Sequence, residues 1–275
     1  MTTKVCVLTG ASGTIGYAIA QALKASSTPS QAWHIIIIGR REPPPSITHV
    51  DGKPPATLPY DTFLQATLTD EPAVTSTLNS HFESLQSTPD KSVQSLNRLD
   101  LLINCAGCSL GNEPIANVSA DTLRQVMEIN LIAPFILSKW AMSKMANPSG
   151  GRIINIGSIA RQAPRLHSVP YFTSKCALAA LNRSLSLEGR HLAQTTQTTN
   201  EDVGNGVVAV CLIDPGNVRS GLMSAEEAER RAKEEGFVDP EDLGKFVATV
   251  ANLPNEANVL ESTVMPTRQP LVGRG

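Results

Sequence analysis

Residues 4–23 constrain the fold more than any other stretch of the chain. Lys4-Val-Cys-Val-Leu-Thr9 is an apolar run of strand length, Gly10-Ala-Ser-Gly-Thr-Ile-Gly16 is a glycine-rich turn, and Tyr17-Ala-Ile-Ala-Gln-Ala-Leu23 reads as a helix. A strand that passes through such a turn directly into a helix opens a βαβ unit and so calls for a parallel sheet. The turn also has a chemistry. Its glycines let the backbone approach a pyrophosphate, and the helix start offers unpaired N–H groups and the positive end of a dipole. Gly10, Ser12, Gly13, Thr14, Ile15 and Gly16 are therefore candidate contacts for a dinucleotide.

The rest of the chain repeats the alternation. Strands are predicted near residues 4–9, 34–39, 63–67, 99–104, 152–157, 207–213 and 259–264, with helices including 15–25, 71–86, 119–145 and 170–192. The expected architecture is α/β: a Rossmann-type, doubly wound, seven-stranded parallel sheet with helices on both faces, in one domain spanning 1–275. A chain of 275 residues with 41% hydrophobic content can bury a core of that size. Three connections read as inserted, exposed loops: the proline-rich 42–59, the polar 84–97 and the Thr/Gln/Asn-rich 194–205.

The second predicted strand, His34-Ile-Ile-Ile-Ile-Gly39, ends where the adenosine ribose of a dinucleotide should lie. A carboxylate there takes the 2′-hydroxyl of NAD, whereas an arginine takes the 2′-phosphate of NADP. Here Arg40 and Arg41 follow the strand, and the first acid is Glu42. Position favours phosphate recognition over a solvated pair of charges.

Tyr171 and Lys175 are four residues apart, so on a helix they share a face. A free phenol, with a pKa of about 10, is a poor acid near neutral pH unless a cation stabilises the phenolate, and Lys175 is placed to be that cation. The spacing alone fits any amphipathic helix equally well. Ser158, however, ends the apolar run Arg152-Ile-Ile-Asn-Ile-Gly157 and would be delivered at a strand tip. Asn130 stands mid-helix in Met127-Glu-Ile-Asn-Leu131, where an amide competes with the backbone, which suggests a buried hydrogen-bonding task.

With these residues in place the chain resembles the short-chain dehydrogenase/reductase family, in particular its single-domain NADP-dependent members. The resemblance rests on the glycine-rich start, Asn104-Cys-Ala-Gly107 after Leu99-Asp-Leu-Leu-Ile103, Asn130, Ser158, Tyr171, Lys175 and Asp214-Pro-Gly-Asn-Val-Arg-Ser220. It implies an oxidoreductase that interconverts a carbonyl and a secondary alcohol with NADP(H), carbonyl reduction being the direction favoured in cells. Asn130, Ser158, Tyr171 and Lys175 would form the catalytic set. Tyr171 would donate the proton, Ser158 would hydrogen-bond the carbonyl oxygen, Lys175 would also hold the nicotinamide ribose, and Asn130 would anchor a water. Asn104, Ala106 and Gly107 would line the adenosine side, with Thr67 and Leu68 near the adenine. Pro215 and Gly216 would contact the cofactor, Val218 with Ser220 would meet its carboxamide, and 220–238 would be a lid over the substrate. Members of the family pair through the long helices, here 119–145 and 170–192, as homodimers or homotetramers.

The chain departs from the pattern in three places. The middle glycine of the usual turn is replaced by Thr14, with a glycine at Gly13 instead; Thr67 stands where an aspartate often holds the adenine; and the Asp-Gly-Gly ending of acyl-carrier reductases is missing. Two other functions stay open: a catalytically idle NADP-sensing binding protein, and an NAD-linked alcohol dehydrogenase or sugar epimerase.

Charge and composition narrow the partners. A net charge of −2 without a dense basic run argues against nucleic acid, and the absence of a long apolar run or a signal-peptide pattern argues for a cytoplasmic protein without membrane contact. Five cysteines, an odd number, suggest reduced thiols. Cys105-x-x-Cys108 lacks a second ligand pair and overlaps the cofactor loop, so no metal site is expected. His167, Arg161 and Arg165, in the loop before Tyr171, either touch the substrate or face water.

Overall fold

The computed structural model describes residues 2–43, 58–147, 149–195, 206–219 and 225–271. Strands β1 (Thr2–Thr9), β2 (Gln31–Gly39), β3 (Thr62–Gln65), β4 (Leu101–Asn104), β5 (Gly151–Ile156), β6 (Val208–Pro215) and β7 (Glu261–Val264) form one sheet in the order β3-β2-β1-β4-β5-β6-β7. Every adjacent pair is parallel. The strands lie where the apolar runs predicted them, with ends shifted by a few residues.

Helices α1 (Thr14–Ala25), α2 (Glu71–Ser87), the short α3 (Lys91–Gln94), α4 (Ala120–Met127), α5 (Ala133–Met145), α6 (Val169–Thr195), α7 (Ala225–Glu234) and α8 (Pro240–Ala251) make up the connections. The expected loop 84–97 is partly helical: α2 continues to Ser87, and α3 is capped by Asp90, whose carboxylate accepts the Ser92 N–H. Of the other two expected loops, 44–57 and 196–205 lie outside the described residues. No described helix is long and apolar enough to cross a membrane.

Successive strand residues point to opposite faces, and the sheet uses both. Ile36 and Ile38 join Val5, Val7, Leu102 and Ile153 under α2, α5 and α6. Ile35 and Ile37 join Cys6, Leu8, Leu101 and Ile154 under α1 and α8. Each such side chain, fully withdrawn from water, contributes about 1.5–3 kcal/mol, which is why the unbroken isoleucine run of β2 belongs in the middle of a two-faced sheet.

Because all strands run the same way, their carboxyl ends share one edge. The order reverses between β1 and β4, the switch point at which open α/β sheets leave a crevice for ligands. Gly10, Arg40, the 105–107 loop, Ser158 and Gly216 all follow strand ends on that edge.

Candidate active site

The crevice begins with a staple between two strand ends. The Thr9 hydroxyl accepts the N–H groups of Cys105 and Ala106, both at 3.0 Å, and donates to the Ile103 carbonyl. The two backbones then run so close that a Cβ at Gly10 would lie 2.6 Å from the Ala106 nitrogen, and Gly10 has φ +75°. Only glycine fits there. Gly13 caps α1 with no side-chain hydrogen bond, and the first turn holds no acidic residue. Its first N–H groups and the positive end of its dipole therefore meet no competing side-chain cap or acidic residue within the first turn.

Arg40 and Arg41 lie exposed just past β2. Among the described residues no carboxylate pairs with either, and the nearby Glu42 is engaged by the Tyr60 hydroxyl at 2.8 Å. The glycine turn, the helix start without a side-chain cap and the two exposed arginines offer backbone N–H and guanidinium groups that fit a dinucleotide phosphate. Thr67 is exposed and Leu68 buried beyond β3.

The second half of the site is built around a break in helical regularity. Between α4 and α5 the helix widens into a π-turn over Glu128–Ile132, and Asn130 sits inside it, 1% exposed. Such turns place one extra residue in a helix and free side-chain and backbone groups for other partners. The Asn130 amide accepts the Cys108 N–H and donates to the Cys108 carbonyl and to the Ser174 hydroxyl, each at 2.9 Å. Ser174 in turn donates to the Tyr171 carbonyl. One amide thus joins the loop after β4 to the first turns of α6.

Lys175 is 5% exposed; its ammonium donates to the carbonyl of Ile156, the last residue of β5, at 2.9 Å and lies 5.7 Å from the centre of the Tyr171 ring. A methyl at Gly107 would sit 3.3 Å from the Asn130 oxygen and 3.8 Å from the Lys175 nitrogen, so these three positions meet. Burial pushes the Cys105 thiol up to about 12 against the pull of the Lys175 charge, and Cys108 is raised for the same reason. All five cysteines are free thiols. Ser158 follows β5 in extended geometry and caps a 3₁₀ turn, Ile159–Arg161, its hydroxyl accepting the Ala160 N–H at 3.1 Å.

The Asn104 side chain is buried, 3% exposed, and donates to Ser138 and Asn155; Asn155 continues to Asn182. Val218 is core, 4% exposed and bridged to Val238. Arg161 and Arg165 are internal charges, not open ones. Arg161 binds Asp214 and Glu261, and Arg165 binds Glu235 and Asn217. His167 is exposed with φ 59°. Ser220 and the first residues of the expected lid, 220–224, lie outside the described residues; the rest of that segment holds α7.

Sequence reasoning missed the polar groups beneath the site. Asn217, 3% exposed, accepts from Arg165, Arg231 and Gln269 and donates to Glu235, binding α7 to the wall of the crevice. Asp214, fully buried, accepts the Ser158 N–H. These partners are 14 to 56 residues apart, and no local pattern announces them.

The chain is similar to known proteins. A family model described as short chain dehydrogenase matches residues 4–231. An uncharacterized oxidoreductase of Thermotoga maritima is 35% identical over 146 residues, a match spanning 52% of this chain and only 52% of that relative. An uncharacterized oxidoreductase of Staphylococcus saprophyticus is 27% identical over 96% of this chain and 97% of its own length. Among solved structures, an actinorhodin polyketide ketoreductase with NADPH superposes with a TM-score of 0.74 at 21% identity, covering 97% of this chain and 98% of the other. At that identity the likeness concerns the fold.

Proposed function

Since the chain belongs to the short-chain dehydrogenase family, we propose that it is an NADP(H)-dependent oxidoreductase that reduces a small, uncharged carbonyl compound to a secondary alcohol. The observation that carries this reading is the linked set Gly107, Asn130, Lys175 and Tyr171 at the carboxyl edge of the sheet, with the Lys175 ammonium on the Ile156 carbonyl, two residues before Ser158.

Gly10, Ser12, Gly13, Thr14, Ile15 and Gly16 would hold the pyrophosphate, and Arg40 with Arg41 the 2′-phosphate. Thr67 and Leu68 would flank the adenine. Ala106, Gly107, Pro215, Gly216 and Ser220 would line the rest of the groove, Asn104 and Val218 supporting it from within. The presence of NADPH in the ketoreductase neighbour agrees with this choice. When bound, the dinucleotide supplies the hydride that reaches the carbonyl carbon.

The chain's own groups handle the oxygen. Ser158, whose hydroxyl oxygen already accepts from Ala160, has its proton left to donate to the carbonyl oxygen. Tyr171 gives its proton to the same oxygen as the alcohol forms. The Lys175 ammonium offsets the negative charge left on the phenolate, held in place by the Ile156 carbonyl. Asn130 fixes the Cys108 loop and the Ser174 turn against each other, which keeps Lys175 and Tyr171 in register. Arg161 and Arg165 are engaged by internal carboxylates, so among the described residues the loop between Ser158 and Tyr171 offers an anionic substrate no spare guanidinium. That favours an uncharged substrate. The segment 220–238, with α7, would close over it.

Protein, NADPH and a panel of ketones, monitored by loss of the reduced-nicotinamide absorbance, test the reading. Turnover that disappears in Tyr171→Phe is the expected result. Cofactor binding without turnover on any ketone would refute it in favour of an NADP-sensing role.

A further inference from the structure

We propose that Asp214 is a positioning residue for this reaction, holding Ser158 where its hydroxyl meets the carbonyl oxygen; the proposal rests on the role given to Ser158 above. Asp214 is no part of the crevice surface. It lies near the end of β6, where the register pairs Ile156 with Ile213, so its side chain emerges beside Gly157, directly before the serine.

The carboxylate grips both ends of the turn that Ser158 opens. One oxygen, Oδ1, accepts the Ser158 N–H at 2.9 Å. The other, Oδ2, accepts from Nε of Arg161, the last residue of that turn, at 2.5 Å. Inside the turn, the Ala160 N–H points back to the Ser158 hydroxyl. The serine is thereby fixed through its backbone, its side-chain oxygen and the far end of its own turn. The fit is tight enough that any Cβ at position 157 would overlap the carboxylate, which accounts for the glycine before the serine.

The charge is costly to keep there. Asp214 is 0% exposed, and burial pushes its carboxyl above the ordinary range while Arg161 pulls it back. A buried ion pair is commonly no better for stability than apolar residues of the same size. Arg161 is shared with Glu261 of β7, and Glu261 with Arg183 of α6, so the clamp is braced from the neighbouring strand and helix. A serine loop that needed only to be folded could have been closed by a leucine. What a carboxylate adds is a fixed direction for one N–H and one guanidinium.

The test is a mutant cycle on the full-length protein, read as kcat and as NADPH affinity by fluorescence titration. Asp214→Ala is expected to lower kcat about tenfold or more, the effect of losing one charge-assisted hydrogen bond, while NADPH affinity stays within about twofold. Asp214→Asn keeps one acceptor oxygen for the Ser158 N–H but sets its NH2 against the Arg161 guanidinium, so it should regain only part of the lost kcat, falling between the alanine variant and wild type. In a Ser158→Ala background, Asp214→Ala should cost less than about a further twofold, because the group it positions is already gone. Equal losses in both backgrounds, or full kcat in folded Asp214→Ala enzyme, would overturn the proposal. If Asp214→Ala fails to fold, Asp214→Ala combined with Arg161→Gln removes both charges together and is held to the same criteria. A Ser158→Ala enzyme as fast as wild type would instead sink the reading of the site itself, and with it the role of Asp214.

Discussion

Truncating Asn130 to alanine isolates the amide that joins the two halves of the site. The side chain is 1% exposed and makes three hydrogen bonds of 2.9 Å, two to the Cys108 backbone and one to Ser174. Its loss strands the Cys108 N–H and carbonyl, whereas Ser174 keeps its bond to the Tyr171 carbonyl. A stranded buried polar group costs about 1–3 kcal/mol, and Cys108 is only half-buried, so a total near 3 kcal/mol is expected. At roughly 2.1 cal/mol/K per residue, a chain of 275 residues unfolds with an entropy of about 0.58 kcal/mol/K, which turns ~3 kcal/mol into a fall in Tm of about 5 °C. Thermal melts followed by circular dichroism measure it. Asn130→Asp is the informative companion: it keeps the acceptor for the Cys108 N–H but sets a carboxylate oxygen against the Cys108 carbonyl, and should be no more stable than the alanine variant. A fall below about 1 °C for alanine, or an aspartate as stable as wild type, would refute this account of the π-turn.

Three further outcomes follow from the geometry. Arg40→Asp should weaken NADPH about tenfold while leaving NADH within about threefold in fluorescence titrations, and an equal loss for both would remove Arg40 from the phosphate role. Gly10→Ala forces a side chain to φ +75° and to 2.6 Å from the Ala106 nitrogen. It should weaken NADPH binding at least about tenfold, since strain of this kind costs about 1–3 kcal/mol, and unchanged affinity in isothermal titration would contradict the phosphate role of the turn. Hydrogen bonds from Arg230 and Arg231 hold the Glu227 carboxyl down from 4.5 to about 2. A folded value below the unfolded one means that the contribution is present above about pH 4.5 and fades as pH falls towards about 2; solvent screening limits it to about 1 kcal/mol. Urea midpoints of wild type and Glu227→Gln should therefore differ at pH 7 and converge as pH falls through about 2, and a gap independent of pH would count against the ion pairs of α7.

Local rules made most of this legible. The run Ile35–Ile38 could only be a strand buried on both faces, and a strand entering a glycine turn and then a helix fixed a parallel sheet, which in turn brings Gly10, Arg40, Ser158 and Gly216 to one edge. Tyr171 and Lys175 shared a helix face by arithmetic. The hidden part belongs to side chains whose partners are distant in sequence. Arg161 and Arg165 look like surface charges in a loop until Asp214, Glu235 and Glu261 arrive from other elements. Asn104 lies in a cofactor-loop motif, yet its amide NH2 donates to Asn155 of the neighbouring strand and to Ser138 of α5. Nor does any propensity mark 128–132 as a π-turn: the wide turn exists because Asn130 has tertiary bonds to make.

That wide turn also sets the phase of everything around it. An α-helix rotates about 100° per residue, so one surplus residue turns the stretch upstream of Glu128 by roughly that angle relative to the stretch downstream. Ahead of it, α4 buries only Val126; behind it, α5 buries nine of its thirteen residues. Shortening the 128–132 segment by one position would yield a more regular helix and a misaligned one, with apolar residues swung toward water on one side of the splice. The irregularity is therefore a spacer whose length is fixed twice over, once by the amide it exposes and once by the rotational timing of two helical segments that must each meet a different neighbour.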